Sequence, residues 1–505
     1  MRNRMRVVFL ALLWAAGLSV AGADPENLLR DPGFEQVSGG AFAWWNTPTY
    51  WQGKLSMADE AHGGRRAALL ATTERAGKWL GRVYNPVMLA ITQGARYRVS
   101  IWARGKGDCV VGCIEYSRKE GKSTYQYVPL DPPVPLSDAW QPITFYYTPR
   151  DPLATTVAFY AEVRGEGSQV LLDDAFIGLE PLPGYALTVR PEHTMVPVGA
   201  TLRFRIEASG PAGRQPAAVS IRRMEGEAPV IEEVALDAAG KGEYLLRVPE
   251  GTEPGVITLS FVLKEAGLAV PHWADAVDAG LYRQFADAAA RVRLEKPAHL
   301  LFVGDSLTAF YRGYNYVDKV RGWLQQRFGE DVTVTNAGVG GDYTTRVLAR
   351  LEKDVLAKKP THVFVFLGHN DSKLKSTTGY QDAVVPPAVF EQEYREIVQR
   401  VRATGARVTV ISATSSVYEI TKASAEAAAK AGRVHNLFGK PEVMEQFNAI
   451  ARKVAEENGC GYLDVYEPTR THPKKASLFT QDGVHINNEG NRLVALEILK
   501  YLGKP

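Results

Sequence analysis

The stretch His299-Leu300-Leu301-Phe302-Val303-Gly304-Asp305-Ser306-Leu307-Thr308 decides the fold of the C-terminal part of the chain. A short apolar run, 299–303, stops at a glycine and gives way to small polar residues. Four more such runs follow, at 332–335, 362–367, 407–411 and 462–465. Between them lie helical patterns at 316–328, 344–359, 389–403 and 442–457. Short buried strands alternating with amphipathic helices specify a parallel sheet covered on both faces. Ligands of such sheets bind outside the carboxyl ends of the strands. The residues just after each run are therefore expected to meet at one edge.

Those positions are polar. Gly304-Asp305-Ser306 follows the first run, and Asn336-Ala337-Gly338-Val339-Gly340-Gly341-Asp342 the second. Gly368-His369-Asn370-Asp371 follows the third, and Asp482-Gly483-Val484-His485 stands near the chain end. A serine hydroxyl is a weak nucleophile at neutral pH and needs a base. His485 can be that base for Ser306, and Asp482 can hold its tautomer and stabilise its charge. A tetrahedral oxyanion needs donors, which the Ser306 N–H, the Gly341 N–H and the Asn370 amide can supply. Gly338 and Gly340 are the alternatives to Gly341. Asp305, Asp342 and Asp371 read as loop braces, and His369 as a substrate contact or a structural residue. The glycine run is no dinucleotide fingerprint, because its third glycine would fall on Tyr343. No pair of carboxylates stands out as a glycosidase would require.

These motifs, in this order, resemble the SGNH, or GDSL, hydrolase family across 297–505. The resemblance implies a flavodoxin-like α/β domain with a five-stranded parallel sheet. It implies Ser306, Asp482 and His485 as catalytic triad, with Ser306, Gly341 and Asn370 as oxyanion hole and no cofactor required for catalysis. The family pattern of Gly-Asp closely followed by Thr favours Gly341, in Gly341-Asp342-Tyr343-Thr344. The 418–440 segment, with its alanine-rich stretch, is an insertion expected to form a lid, a cleft wall or a surface helix.

Upstream, residues 24–182 alternate in period two between Gly, Pro and Asp turns, as expected of short strands. Six of the nine tryptophans fall here. Aromatic rings with a few polar groups suit sugars, and the irregular Trp44-Trp45…Trp51 stretch is the expected binding surface. The regular pattern around Trp102 marks it as core. The opening Asn27-Leu28-Leu29-Arg30-Asp31-Pro32-Gly33-Phe34-Glu35 and the closing Leu171-Leu172-Asp173-Asp174-Ala175 resemble the jelly-roll carbohydrate-binding modules attached to xylanases and glucanases. Such modules often carry a structural calcium, for which Glu35 and Asp174 are the implied ligands, since Ca²⁺ takes hard oxygen donors. Residues 183–267 resemble an immunoglobulin-like spacer, and 268–296 read as a helical connector.

The 505 residues carry 59 basic and 56 acidic side chains, a net of +3. Arg2, Arg4 and Arg6 are the only charges before Asp24, so a chain starting there holds 56 of each sign. No basic footprint of a nucleic-acid binder is present, and a neutral glycan fits this balance better than a polyanionic one. The three arginines, the apolar run 7–20 and Ala21-Gly22-Ala23 have the layout of a secretory signal peptide. No cysteine near the cleavage point offers a lipid anchor. The expected product is a secreted or periplasmic protein without a membrane span. Cys109 and Cys113, about 13 Å apart along a strand, are expected to stay free thiols.

These readings combine into a secreted esterase that removes O-acetyl or other small acyl groups from a polysaccharide. The alternatives are a lipase or thioesterase of the same family, and a non-catalytic glycan-binding adhesin. The sequence carries no signal of oligomeric state.

Overall fold

Each of the five apolar runs is long enough to cross a sheet and too short to make a helix. In the computed structural model they form the strands Ala298–Gly304, Val332–Gly338, His362–Phe366, Arg407–Ile411 and Gly461–Leu463. All pairings among them are parallel, in the order 2-1-3-4-5 along the chain. The structure describes residues 18–20, 26–38, 40–47, 52–119, 122–225, 228–309 and 315–504.

Alternate side chains of these strands enter two cores, as a buried sheet requires. Leu300, Phe302, Phe364, Phe366 and Ile411 pack with Val317, Val320 and Leu324 of helix Tyr316–Phe328 and with Val494 and Ile498 of helix Asn488–Leu502. Leu301, Val303, Val363, Val365 and Val410 face the other way. They pack with Val347 and Leu351 of Thr344–Asp354, Tyr394 and Ile397 of Pro387–Arg402, and Phe447 and Val454 of Pro441–Glu457. Asn315 and Asn487 cap the two helices of the first face by accepting backbone N–H groups.

The connector departs from its expected form. Residues Leu268–Val277 are a strand, and only Ala279–Arg291 is helical, with Asp278 capping it. This strand is largely buried along its length, and the alanine count of the helix after it obscured it. At the end of this strand Asp275 is fully buried. It accepts from Lys319 Nζ at 2.5 Å, Arg492 Nη2 at 2.5 Å and Asn488 Nδ2 at 2.9 Å. A charge this deep is tolerable only with such partners. The cluster fixes helices Tyr316–Phe328 and Asn488–Leu502 to the strand end.

The N-terminal block is all-β, with antiparallel sheets. Gln141–Tyr147, Tyr97–Gly105, Gln169–Leu179, Ala67–Ala71 and Lys54–Ala58 are neighbours in one sheet. Lys122–Pro129, Asp108–Lys119, Thr156–Arg164, Lys78–Tyr84 and Thr73–Arg75 are neighbours in the other. Val99, Ile101, Leu172 and Ile177 of the first join Val111, Phe159 and Val163 of the second in one core. Cys109 and Cys113 point into it as free thiols, and burial pushes the Cys109 thiol up to about 12.

The middle block is also β-rich. Ala218–Glu225 pairs antiparallel with Ala228–Ala235 and with Gly255–Leu263, and Met195–Pro197 runs parallel to 275–277. Its residues are shared between two compact units. One comprises 1–190, 204–244 and 258–272, and the other 191–203, 245–257 and 273–505. Of the leader, only the backbone of Leu18–Val20 is described, as a short strand beside 186–188. The rest of 1–23 lies outside the described residues. Among the described residues no helix is long and apolar enough to cross a membrane.

Candidate active site

Ser306 opens the four-residue helix Ser306–Ala309, just past the end of the first strand. Its backbone N–H has no acceptor within the helix, because the first turn leaves such groups unpaired. Asp305 below it holds the turn. Its carboxylate accepts the Leu307 N–H at 2.9 Å, and its carbonyl accepts from Thr308 and Ala309 at 3.1 and 2.9 Å.

The chain brings His485 to this serine from 179 residues away, with Ser306 Oγ 2.8 Å from His485 Nε2. His485 Nδ1 lies 2.7 Å from Asp482 Oδ2. An ionised carboxylate only accepts, so the imidazole proton belongs on Nδ1 and Nε2 is left to accept from the serine. The other oxygen of Asp482 takes the N–H groups of Val484 and His485 at 2.9 and 3.0 Å and the Thr480 hydroxyl at 2.7 Å. Burial works to raise the Asp482 carboxyl. The His485 ring and these backbone donors outweigh it and hold the acid well below the usual carboxylate range.

Gly341 and Asn370 stand on the loops after the second and third strands. Gly341 has φ of +82°, a left-handed conformation that favours glycine, and the space where a Cβ would sit is open apart from Arg346 Nη1 at 3.7 Å. Gly338 differs. A Cβ there would lie 2.6 Å from the Ala309 nitrogen, so it is a packing glycine beneath the serine helix. Its N–H is taken by Asn336 at 2.9 Å. Asn370 donates to the Asp342 carbonyl at 2.9 Å and lies 3.4 Å from Asp305 Oδ2, while its own carbonyl oxygen accepts from Lys373 Nζ at 3.2 Å. The lysine thus fixes which end of the amide is NH₂.

The three loop aspartates are all bonded. Asp342 pairs with Arg350 at 2.7 Å, and Asp371 accepts the N–H and hydroxyl of Thr344, both at 2.8 Å. Burial pushes the Asp371 carboxyl up to about 6, against the pull of these Thr344 bonds. Of the two roles expected for His369, the contacts favour the structural one: it is 4% exposed, and its Nε2 accepts the Thr414 N–H at 2.9 Å.

The N-terminal residues singled out from sequence fare differently. Trp45 is 2% exposed, stacks on Phe34 with centroids 4.2 Å apart and donates to the Asp31 carbonyl at 2.7 Å. It is core, not a sugar platform. Trp44 is half-buried, with its indole N–H on Gln36 at 2.9 Å and the Arg30 guanidinium 4.7 Å above the ring. Trp51 lies outside the described residues. Trp102 is not core: it faces outward, with the His62 ring stacked on it at 3.8 Å.

Glu35 accepts the N–H groups of Arg65 and Arg66, the latter at 3.0 Å, and Asp174 pairs with His62 at 2.7 Å. Both carboxylates thus brace loops, one of them against an imidazole. Among the described residues no group of three or more His, Cys, Asp or Glu side chains is placed to hold a metal.

With this geometry in view, comparison with known proteins is informative. Residues 302–493 match the GDSL-like lipase/acylhydrolase family, and residues 26–169 match a carbohydrate-binding domain. The C-terminal domain is a GDSL-like hydrolase domain. The matched carbohydrate-binding domain precedes it in the chain. The chain is 28% identical over 207 residues to thioesterase 1/protease 1/lysophospholipase L1 of Escherichia coli, covering 40% of this chain and 82% of that protein. It is 35% identical over 118 residues to esterase TesA of Pseudomonas aeruginosa, covering 22% of this chain. It spans only about half, 52%, of that relative's length. An acetylxylan esterase of Geobacillus stearothermophilus is 38% identical over 85 residues, 14% of this chain and 39% of that one.

Two features of the GDSL-like domain and its partner module escaped the sequence reading. The first is what the 418–440 insertion touches. Its helix Tyr418–Lys430 begins where the Val417 N–H donates to the Gly483 carbonyl at 2.8 Å, between Asp482 and His485. Its returning segment exchanges hydrogen bonds between Leu437 and Leu374 at 2.8 and 2.9 Å, just past Asn370. The insertion therefore braces both the His485 loop and the Asn370 loop.

The second is a row of tyrosines on one face of the carbohydrate-binding module. Tyr116 lies opposite Tyr125, Ile114 opposite Tyr127, and Gly112 opposite both Pro129 and Tyr160. Positions 112, 114 and 116 share a face, so the four rings do too. They touch in series at 6.3, 6.0 and 5.3 Å between centroids, with the Arg82 guanidinium 5.2 Å over Tyr127. Tyr125 is 64% exposed. The period-two spacing of Tyr125 and Tyr127 is the signal that could have found this row. The pairing register that aligns it with Tyr116 and Tyr160 is not written locally.

Proposed function

We propose that this protein is an exported serine esterase that removes O-acetyl or other small acyl groups from a polysaccharide. The observation that carries this reading is the continuous line from Ser306 Oγ through His485 to Asp482, at 2.8 and 2.7 Å, with Ser306 at the end of the first strand and Gly341 and Asn370 on the loops after the second and third. His485 Nε2 takes the hydroxyl proton as Ser306 Oγ bonds to the ester carbonyl carbon. The carbonyl oxygen becomes an oxyanion held by the Ser306 N–H, the Gly341 N–H and the Asn370 amide. Collapse expels the sugar oxygen, which takes the proton back from His485. Water repeats the sequence on the acyl-serine, releases the acid and restores the enzyme. Every proton and charge in this cycle is handled by side chains and backbone, so it requires no cofactor.

The polysaccharide side of the proposal is supported by the matched carbohydrate-binding module and by the acetylxylan esterase among the relatives. The half-buried and exposed rings of the tyrosine row, Tyr116, Tyr125 and Tyr127, are the surface we assign to the glycan, with Tyr160 buried beneath them. The middle block serves as an immunoglobulin-like spacer, and the basic, apolar and small-residue segments of 1–23 support export.

The test is acetate release from a panel of native acetylated polysaccharides by wild type and Ser306→Ala in parallel. Ser306→Ala is expected to lose turnover by a factor on the order of 10⁶. Near-normal release by this variant would sink the proposal. A clear preference for octanoyl over acetyl esters would shift the reading to the lipase or thioesterase alternative. Glycan binding with no hydrolysis of any ester would leave an adhesin.

A further inference from the structure

Two cations flank the oxyanion wall of the active site without a carboxylate partner among the described residues. Lys373 Nζ lies 3.2 Å from Asn370 Oδ1, and its ammonium sits 5.3 Å from the centre of the Phe438 ring. The Arg346 guanidinium is 3.4 Å from the Gly341 carbonyl and 4.9 Å from the centre of the Tyr343 ring. Neither forms an ion pair with any described Asp or Glu. Their aromatic neighbours hold the charged heads in place, since a ring face attracts a cation within about 6 Å. The two charges also feel each other. Burial first, and then Arg346, lower the Lys373 ammonium from its ordinary value, against the opposite pull of Asp305 and Asp371.

The acids nearby are already committed. Asp305 lies fully buried under the serine turn and accepts from Leu307. Asp342 is paired with Arg350, Asp371 with Thr344, and Asp482 with His485. Two cations set 3.2 and 3.4 Å from polar atoms of the oxyanion residues, neither in an ion pair and each reached by nearby aspartates only at longer range, leave donors that a bound anion would meet.

We propose that Arg346 and Lys373 form a recognition rim for a carboxylate lying close to the scissile ester. This rests on the esterase reading above and narrows its substrate to an acidic one. Planar guanidinium suits a carboxylate bidentately, and the Tyr343 and Phe438 rings offer faces for the adjoining carbon skeleton. The carboxylate can be borne by the sugar, as in a uronate, or by the acyl group, as in a dicarboxylic half-ester. The near-zero charge of the chain as a whole hides this rim, because it is two residues on one cleft edge.

The test compares matched pairs of substrates. On the sugar side these are an O-acetylated oligogalacturonate and its methyl ester. On the acyl side they are 4-nitrophenyl hemisuccinate and 4-nitrophenyl butyrate. Wild type is expected to favour the acid of one pair by about tenfold in kcat/KM, the scale of one charge-assisted hydrogen bond. That preference should shrink with added salt and fall towards one in Arg346→Gln and Lys373→Met. The ratio is the readout because Lys373 also orients Asn370, so its variant loses basal rate. The pair that shows the preference identifies the carboxylate's source. Equal rates within both pairs, or a preference that survives both substitutions, overturns the rim. Calorimetric binding of the oligogalacturonate and its methyl ester to Ser306→Ala reads the rim without turnover. Should wild type hydrolyse no ester, the esterase reading fails, while the rim stands or falls on that binding difference.

Discussion

The hydrolase domain and the carbohydrate-binding module put side chains in place by different rules. In the hydrolase domain Ser306 and His485 are 179 residues apart, yet Ser306 follows the first sheet strand and the loop before helix Asn488–Leu502 brings His485 to it. There, position along the chain converts almost directly into position in space. In the module, Trp44 and Trp45 are neighbours in sequence, yet one is half-buried at the surface and the other is core against Phe34. There, one step along a loop outside any strand separates surface from core, and the tyrosine row is set by the pairing register of its strands.

The sharpest way to break the comparison is at Asp482. If the strand-end logic holds, this residue matters through the ring it orients. Asp482→Asn can still bond Nδ1 but favours the wrong tautomer, and kcat is expected to fall by about 10⁴. The Asp482 side chain is 40% exposed, so solvent access sets that figure as the upper end. Steady-state kinetics on a small acetyl ester would check it, and a loss under tenfold would mean that the Asp482–His485 contact is incidental. Asn370→Ala tests the opposite wall. Removing one oxyanion donor costs about 10²–10³ in kcat with little change in KM. A variant changed in KM alone would place Asn370 in substrate binding instead.

How far the sequence could be read follows the same division. Ser306, Asp482 and His485 were legible through the family order of their motifs, and the fold brings the three together, while Gly341 and Asn370 rested on the resemblance alone. His369 was not legible, because only the fold reveals that Thr414 occupies its Nε2. The strand Leu268–Val277 was hidden by the alanines of the helix that follows it. Lys373 and Arg346 carry no motif at all. Their meaning comes from which groups they touch and which acids they do not.

Asp371 offers a smaller effect, on stability rather than rate. Its folded carboxyl is pushed up to about 6 by burial, whereas an unfolded Asp titrates near 3.9. Between those values the folded state binds more protons. The associated stability is fully present below about pH 4 and is lost as pH rises through about 6. The total swing is at most about 3 kcal/mol, since a tenfold difference in proton affinity between the two states is worth about 1.4 kcal/mol. Denaturant unfolding of wild type across pH 4 to 7 should show this fall, and Asp371→Asn should flatten it. Equal slopes in the two proteins would mean that Asp371 stays ionised throughout.

The smallest effect separates the two aromatic surfaces of the module. If the tyrosine row carries the glycan, Tyr127→Ala should weaken polysaccharide binding by about tenfold, the loss of roughly one stacked ring with its cation neighbour. Tyr127 touches both Tyr125 and Tyr160 and lies under Arg82, so its removal interrupts the row at its centre. Trp44→Ala, which removes only a ring bonded to Gln36, should leave affinity unchanged within about twofold. Affinity electrophoresis of the full chain in gels containing polysaccharide would rank the two, with turnover of a small soluble ester confirming that the hydrolase domain is intact. The reverse ranking would return sugar binding to the tryptophan stretch. It would also show that sequence clustering, rather than cross-strand register, was the better guide in this module.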